Sequence, residues 1–145
     1  MKKTIQYTID QIDQAAQDFA KTIGKASVVT FAGGLGAGKT TFVGSLLRHW
    51  GVSMAVTSPT FAYLNIYELG DGRVAYHFDL YRLKSLAEFE AAGFFEYLYQ
   101  PGSVALIEWP EIIESVLVDD ACMAVVSVVG NNERLITYDV ENKNR

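Results

Sequence analysis

The chain has 145 residues, half of them hydrophobic, with a formal net charge of −5 and a single cysteine. That length suits one domain, 1–145, with a real core, and the apolar content excludes a disordered chain. The longest apolar runs fall well short of the ~20 residues a membrane span needs, and scattered lysines and arginines in an acidic chain argue against holding nucleic acid unaided.

Lys2 and Lys3 have no apolar run behind them, so no secretory signal is expected and the cytoplasm is the expected location. Thr4 to Ile9 alternates like a strand with one buried face. Asp10 is expected to cap a helix in which Ile12, Ala15, Ala16, Phe19 and Ile23 recur at helical spacing, and Gly24 to end it.

A short apolar strand, Ser27 to Ala32, leads into Gly-Gly-Leu-Gly-Ala-Gly-Lys-Thr-Thr, Gly33 to Thr41. This fits GxxxxGK[ST], with Gly33, Gly38, Lys39 and Thr40 at the fixed positions. A helix follows to Trp50, with Phe42, Leu46 and Leu47 on one face. A triphosphate needs several backbone N–H groups aimed at it, and a loop free of Cβ crowding at Gly33, Gly34, Gly36 and Gly38 can offer them. The helix N-terminus adds partial positive charge. Lys39 would reach the β and γ phosphates, and the Thr40 hydroxyl would be one ligand of octahedral Mg²⁺. Thr41 either joins the phosphate site or helps start the helix.

Val52 to Val56 reads as a further strand. Thr57-Ser-Pro-Thr-Phe61 is either a loop approaching the nucleotide or a plain turn before the strand Phe61 to Tyr67. The Leu69-Gly-Asp-Gly-Arg73 turn joins that strand to Val74–Phe78, which makes a hairpin and therefore a mixed sheet.

His77-Phe-Asp-Leu-Tyr-Arg82 puts His77 and Asp79 on one strand face. Asp79 could hold a metal-bound water, orient an attacking water, accept a proton or cap the next turn. Tyr81 and Arg82 suit a partner, a phosphate or a surface ion pair, and His77 reads as a satisfied strand histidine with no nucleophile to serve. Ser85 and Glu88 are spaced as a capping box for a helix ending at Gly93, before an aromatic-rich short helix over 94–99.

Ser103 to Glu108 is an apolar strand ending in an acid, as expected of the metal-side carboxylate of a phosphate-loop enzyme. Glu108 stands where Asp is usual. It could contact Mg²⁺, act as base toward water, or cap a helix starting near Pro110. Trp109 could pack on a loop or on the nucleotide. Cys122 forms no internal disulfide and reads as a small apolar residue in a second hairpin, 122–140. Together these elements give an α/β phosphate-loop domain, a mixed and largely parallel sheet flanked by helices, with hairpins at 61–78 and 122–140.

Gly33–Thr41, SPTF at 58–61, HFDLYRL at 77–83 and IEWPE at 107–111, in this order and at these separations, closely resemble the TsaE family, from residue 1 to about residue 140. That family comprises small bacterial ATPases needed to make threonylcarbamoyladenosine on tRNA. The resemblance implies Mg²⁺-dependent ATP hydrolysis, weak alone, by a protein docked on a TsaB–TsaD pair that it resets between cycles, with tRNA met only through the complex. It further implies that Gly36, Ala37, Gly38, Lys39, Thr40 and Thr41 bind phosphates, that Thr40 and Glu108 hold Mg²⁺, and that Asp79 sits near the γ phosphate. Lys39, Asp79 and Glu108 are the expected catalytic residues. Gly34 departs from the family's usual Asp, and Ile12 and Ala16 depart from its Thr and Gly. A small metabolite kinase and a nucleotide-gated binding module are the alternatives; the former usually adds an arginine-rich lid that this chain lacks.

Overall fold

Two kinds of strand follow from the side-chain pattern. Val28–Ala32 (β2) and Ser103–Glu108 (β5) are apolar almost throughout and buried nearly end to end, as strands covered on both faces must be. Lys2–Thr8 (β1), Cys122–Gly130 (β6) and Glu133–Asp139 (β7) have more exposed positions. Leu64–Glu68 (β3) and Val74–Asp79 (β4) complete a seven-stranded sheet of order β1-β7-β6-β2-β5-β4-β3. The four central strands β6, β2, β5 and β4 are parallel, and the β1/β7, β6/β7 and β3/β4 pairings are antiparallel. The structure is a computed structural model describing residues 2–57, 59, 63–117 and 121–139.

Ile12–Ile23 (α1) and Lys39–His49 (α2) lie on one sheet face. Phe19 joins them to the strands: its ring stands at 89° to Phe42, 5.3 Å away, and 4.6 Å from Tyr138. Alternate residues of β5 turn the other way, so Ala105 and Ile107 pack with Phe78, Phe89 and Phe94 beneath Leu86–Ala91 (α3) and the 3-10 turn Phe94–Tyr97. No helix among the described residues is long and apolar enough to cross a membrane.

The mixed sheet, its flanking helices and both hairpins match the expected fold, but several local expectations do not hold. Asp10 does not cap α1. It lies in a 3-10 turn, Ile9–Gln11, where Thr8 and Gln11 form the capping box instead. Residues 52–56 are not a strand: Val52 N–H bonds back to Leu47 O at 3.0 Å, Gly70 N–H ties the helix end to the β3–β4 turn through Trp50 O at 2.8 Å, and Met54 is exposed. Pro110 opens 3-10 turns, Pro110–Ile112 then Glu114–Val116, in place of a helix. Ser85 does cap α3, accepting from Glu88 N–H at 3.2 Å, but Glu88 reaches back to Lys84 N–H. Ser58, Thr60 and Phe61 of the expected polar loop lie outside the described residues, as does the end of the second hairpin at Val140.

Candidate nucleotide site

The phosphate loop leaves the sheet at the carboxyl end of β2 and passes very close to β6. At Gly33, φ is +139° and a Cβ would lie 2.4 Å from the Val126 carbonyl oxygen, so no other residue fits there. The loop turns into α2 at Lys39, with Gly38 at the N-cap. On the other side of β2, Phe31 pairs in register with Glu108 of β5, and Glu108 pairs with Asp79 of β4. Adjacent parallel strand ends thus bring the loop and both acids to one rim, where open α/β sheets bind their ligands.

The cleft between them, about 350 Å³, is lined by the loop from Leu35 to Thr41, Asp79, Glu108 and Trp109, with Tyr7 and Arg134 behind. Gly36, Ala37, Gly38, Lys39, Thr40 and Thr41 therefore share one cleft with Asp79 and Glu108, whereas Gly33 and Gly34 lie at the loop's start, outside its lining.

Glu108 is the hub of the polar contacts. Although only 2% exposed, its carboxylate accepts from the Thr40 hydroxyl at 2.8 Å on Oε1 and 3.0 Å on Oε2, and from His77 Nε2 at 2.6 Å on Oε2. Lys39 is also buried, donating to Gly33 O with Nζ 3.3 Å from the centre of the Trp109 ring. Burial lowers its pKa, opposed by the negative charges of Glu108, Glu111 and Asp79. Asp79 shifts the other way: burial raises its carboxyl, the neighbouring Glu108 adds to the rise, and a hydrogen bond from Tyr81 N–H resists it. Trp109 has left-handed backbone, φ 58° and ψ 59°, between Glu108 and Pro110, and its ring meets Tyr81 at 4.7 Å.

Two pairings at this site lie beyond the sequence: His77 stands out there only as a satisfied strand histidine, and Arg134 not at all. His77 has Glu108 as its partner, 31 residues away on the next strand. Arg134 of β7 donates from Nε to Ala37 O at 3.0 Å, pinning the loop from 97 residues away. No spacing signal marks either pairing. Beside Arg134 in register is Tyr7, whose buried hydroxyl is pushed up to about 12 by desolvation, against the pull of Arg134.

The donors suit a hard cation. Thr40 and Glu108 offer oxygens within one hydrogen bond of each other, and among the described residues no three His, Cys, Asp or Glu side chains form a metal cage of their own. Mg²⁺ is commonly held this way, by one or two protein oxygens plus substrate phosphates.

Sheet, loop and rim together define a phosphate-loop protein of mixed α/β type. The comparisons with known proteins narrow that class. The family model Threonylcarbamoyl adenosine biosynthesis protein TsaE matches residues 7–136, and the chain belongs to that family. It is 38% identical over 128 residues to the tRNA threonylcarbamoyladenosine biosynthesis protein TsaE of Rickettsia typhi, covering 88% of this chain and 87% of that one. The protein of the same name from Bacillus subtilis is 39% identical over 112 residues, 77% of this chain and 68% of that one. The crystal structure of Bacillus subtilis YdiB superposes with a TM-score of 0.67 at 30% identity, covering 98% of this chain and 89% of that chain.

Proposed function

We propose that this chain binds Mg²⁺–ATP at the cleft and hydrolyses it in support of tRNA threonylcarbamoyladenosine biosynthesis, resetting a TsaB–TsaD pair between catalytic cycles in the cytoplasm. Family membership supports the pathway. The observation that carries the chemistry is the meeting of Thr40, Glu108 and Asp79 at the rim beside the phosphate loop.

In this reading the backbone N–H groups from Gly36 to Thr41 hold the phosphates, and Lys39 exchanges Gly33 O and the Trp109 face for the β and γ phosphate oxygens. Thr40 and Glu108 would hold Mg²⁺, which when bound neutralises charge building between the β and γ phosphates. Asp79 orients the attacking water. The water oxygen bonds to the γ phosphorus as the bond to the β–γ bridging oxygen breaks, and ADP leaves. An acid whose affinity for protons is raised by burial is better suited to accept the water's proton than a fully solvated one.

ATP turnover by the purified chain, alone and with TsaB–TsaD, tests this beside Lys39→Ala and Glu108→Ala. Stimulation by the pair that both substitutions abolish is the expected result. Mg²⁺–ATP binding without turnover in either condition would sink hydrolysis in favour of a nucleotide-gated module.

A further inference from the structure

We propose that His77 is a positioning residue that fixes the carboxylate of Glu108 toward Thr40, allowing a glutamate to serve where a phosphate-loop protein usually carries the shorter aspartate. The proposal rests on the reading of Glu108 as a metal-side acid. Glutamate has one more rotatable bond than aspartate, so a single hydrogen bond to Thr40 would leave its carboxylate free to swing. His77 supplies the second anchor. Its Nε2 lies 2.6 Å from Oε2, while Oε1 remains directed at the Thr40 hydroxyl, 2.8 Å away.

The anchor is rigid because of where it sits. His77 lies inside β4, in register with Asn65 of β3 on one side and Leu106 of β5 on the other, and is 0% exposed. Its Nδ1 is buried and has no hydrogen-bond partner among the described residues. A ring kept only to fill space would avoid that desolvation cost by being apolar. The Nε2 bond to Glu108 is what an apolar side chain could not replace, and partners behind a metal ligand commonly tune affinity in this way.

Asparagine and glutamine separate reach from polarity, since both carry an amide but only glutamine extends it to the position of Nε2. The full chain and its His77→Gln and His77→Asn variants are titrated with ADP in Mg²⁺ and in EDTA. The expected result is that His77→Asn loses about tenfold or more of the gain in affinity that Mg²⁺ confers. His77→Gln should retain that gain to within about threefold, with all three proteins alike in EDTA. His77→Leu, close in volume and without a donor, should match His77→Asn and covers the case in which the latter does not fold. If His77→Asn or His77→Leu keeps the full Mg²⁺ gain, or if the variants weaken equally in EDTA, His77 is a packing residue and the proposal is overturned while the nucleotide site stands. A wild-type chain without any Mg²⁺ gain would overturn the metal reading of Glu108 and this proposal with it.

Discussion

The ammonium of Lys39 rests 3.3 Å from the centre of the Trp109 ring and donates to the carbonyl of Gly33, within its own loop. A lysine held this way has exchanged water for a carbonyl dipole and an aromatic face, and its lowered pKa records the cost of that burial.

Lys39→Met should therefore separate stability from binding. Without nucleotide the variant is expected to melt no lower than wild type, while the upward shift given by Mg²⁺–ATP disappears. A fall of more than about 4 °C, on the order of 1 kcal/mol for a chain of this size, would show instead that the ammonium supports the fold.

Trp109 should report the departure of Lys39. Trp50, the second tryptophan, faces Arg73 at 4.9 Å, so Trp50→Phe leaves Trp109 as the sole indole. Its emission is expected to change saturably with ATP and to stay constant in the added background of Lys39→Met. Binding seen by calorimetry with unchanged emission would mean that the lysine stays on the ring.

Asp79→Asn should cost activity and add stability. Because the folded-state pKa is raised above the unfolded value, the ionised carboxylate opposes folding above the folded pKa, and the opposition fades as pH falls to the unfolded value of ~3.9. Asparagine keeps the acceptor for Tyr81 N–H. The variant should melt higher than wild type at pH 7, by less than about 1 kcal/mol because the side chain is half-buried and screened, and the gap should close toward pH 4. Turnover should fall by about 100-fold or more with ATP affinity within about threefold. Retained turnover would remove Asp79 from the chemistry.

Adjacent glycines should behave oppositely. Gly33→Ala drives a Cβ to 2.4 Å from the Val126 carbonyl and is expected to destabilise by about 3 kcal/mol or more, whereas a Cβ built on Gly34 meets nothing within 4 Å among the described residues. Gly34→Asp, which restores the residue usual in related loops, should change stability by less than about 0.5 kcal/mol. Denaturant midpoints of the two variants decide; a large loss at Gly34 would mean that the loop's path depends on that glycine too.

Features carried by local spacing were legible in the sequence. The phosphate loop declares itself because its glycines, Lys39 and Thr40 keep fixed offsets, and Asp79 and Glu108 stand out as acids ending apolar strands. The TsaE resemblance drawn from those stretches holds. What needed the sheet was anything set by strand order: Glu108 meets His77 only because β4 and β5 are neighbours, and Arg134 reaches Ala37 only because the last hairpin folds over the loop. Residues 52–56 misled because two valines suggest a strand, yet a strand needs a backbone partner. Here Val52 N–H bonds back to Leu47 O at 3.0 Å, and just past the segment Thr57 O accepts from the Asn65 side chain of β3 at 3.2 Å.

The strand order also bears on how the molecule assembles. β2, which launches the phosphate loop, is flanked by β5 and β6, and β1 pairs with β7. Both early strands therefore wait for segments from the second half of the chain, and a topology so dominated by distant pairings folds slowly. The loop acquires its final shape only when Val126 and Arg134 are in place. In the proposed reading, ATP would hold the finished molecule but would have nothing to grip in a nascent one. Refolding should proceed at the same rate with or without it, and only unfolding should slow.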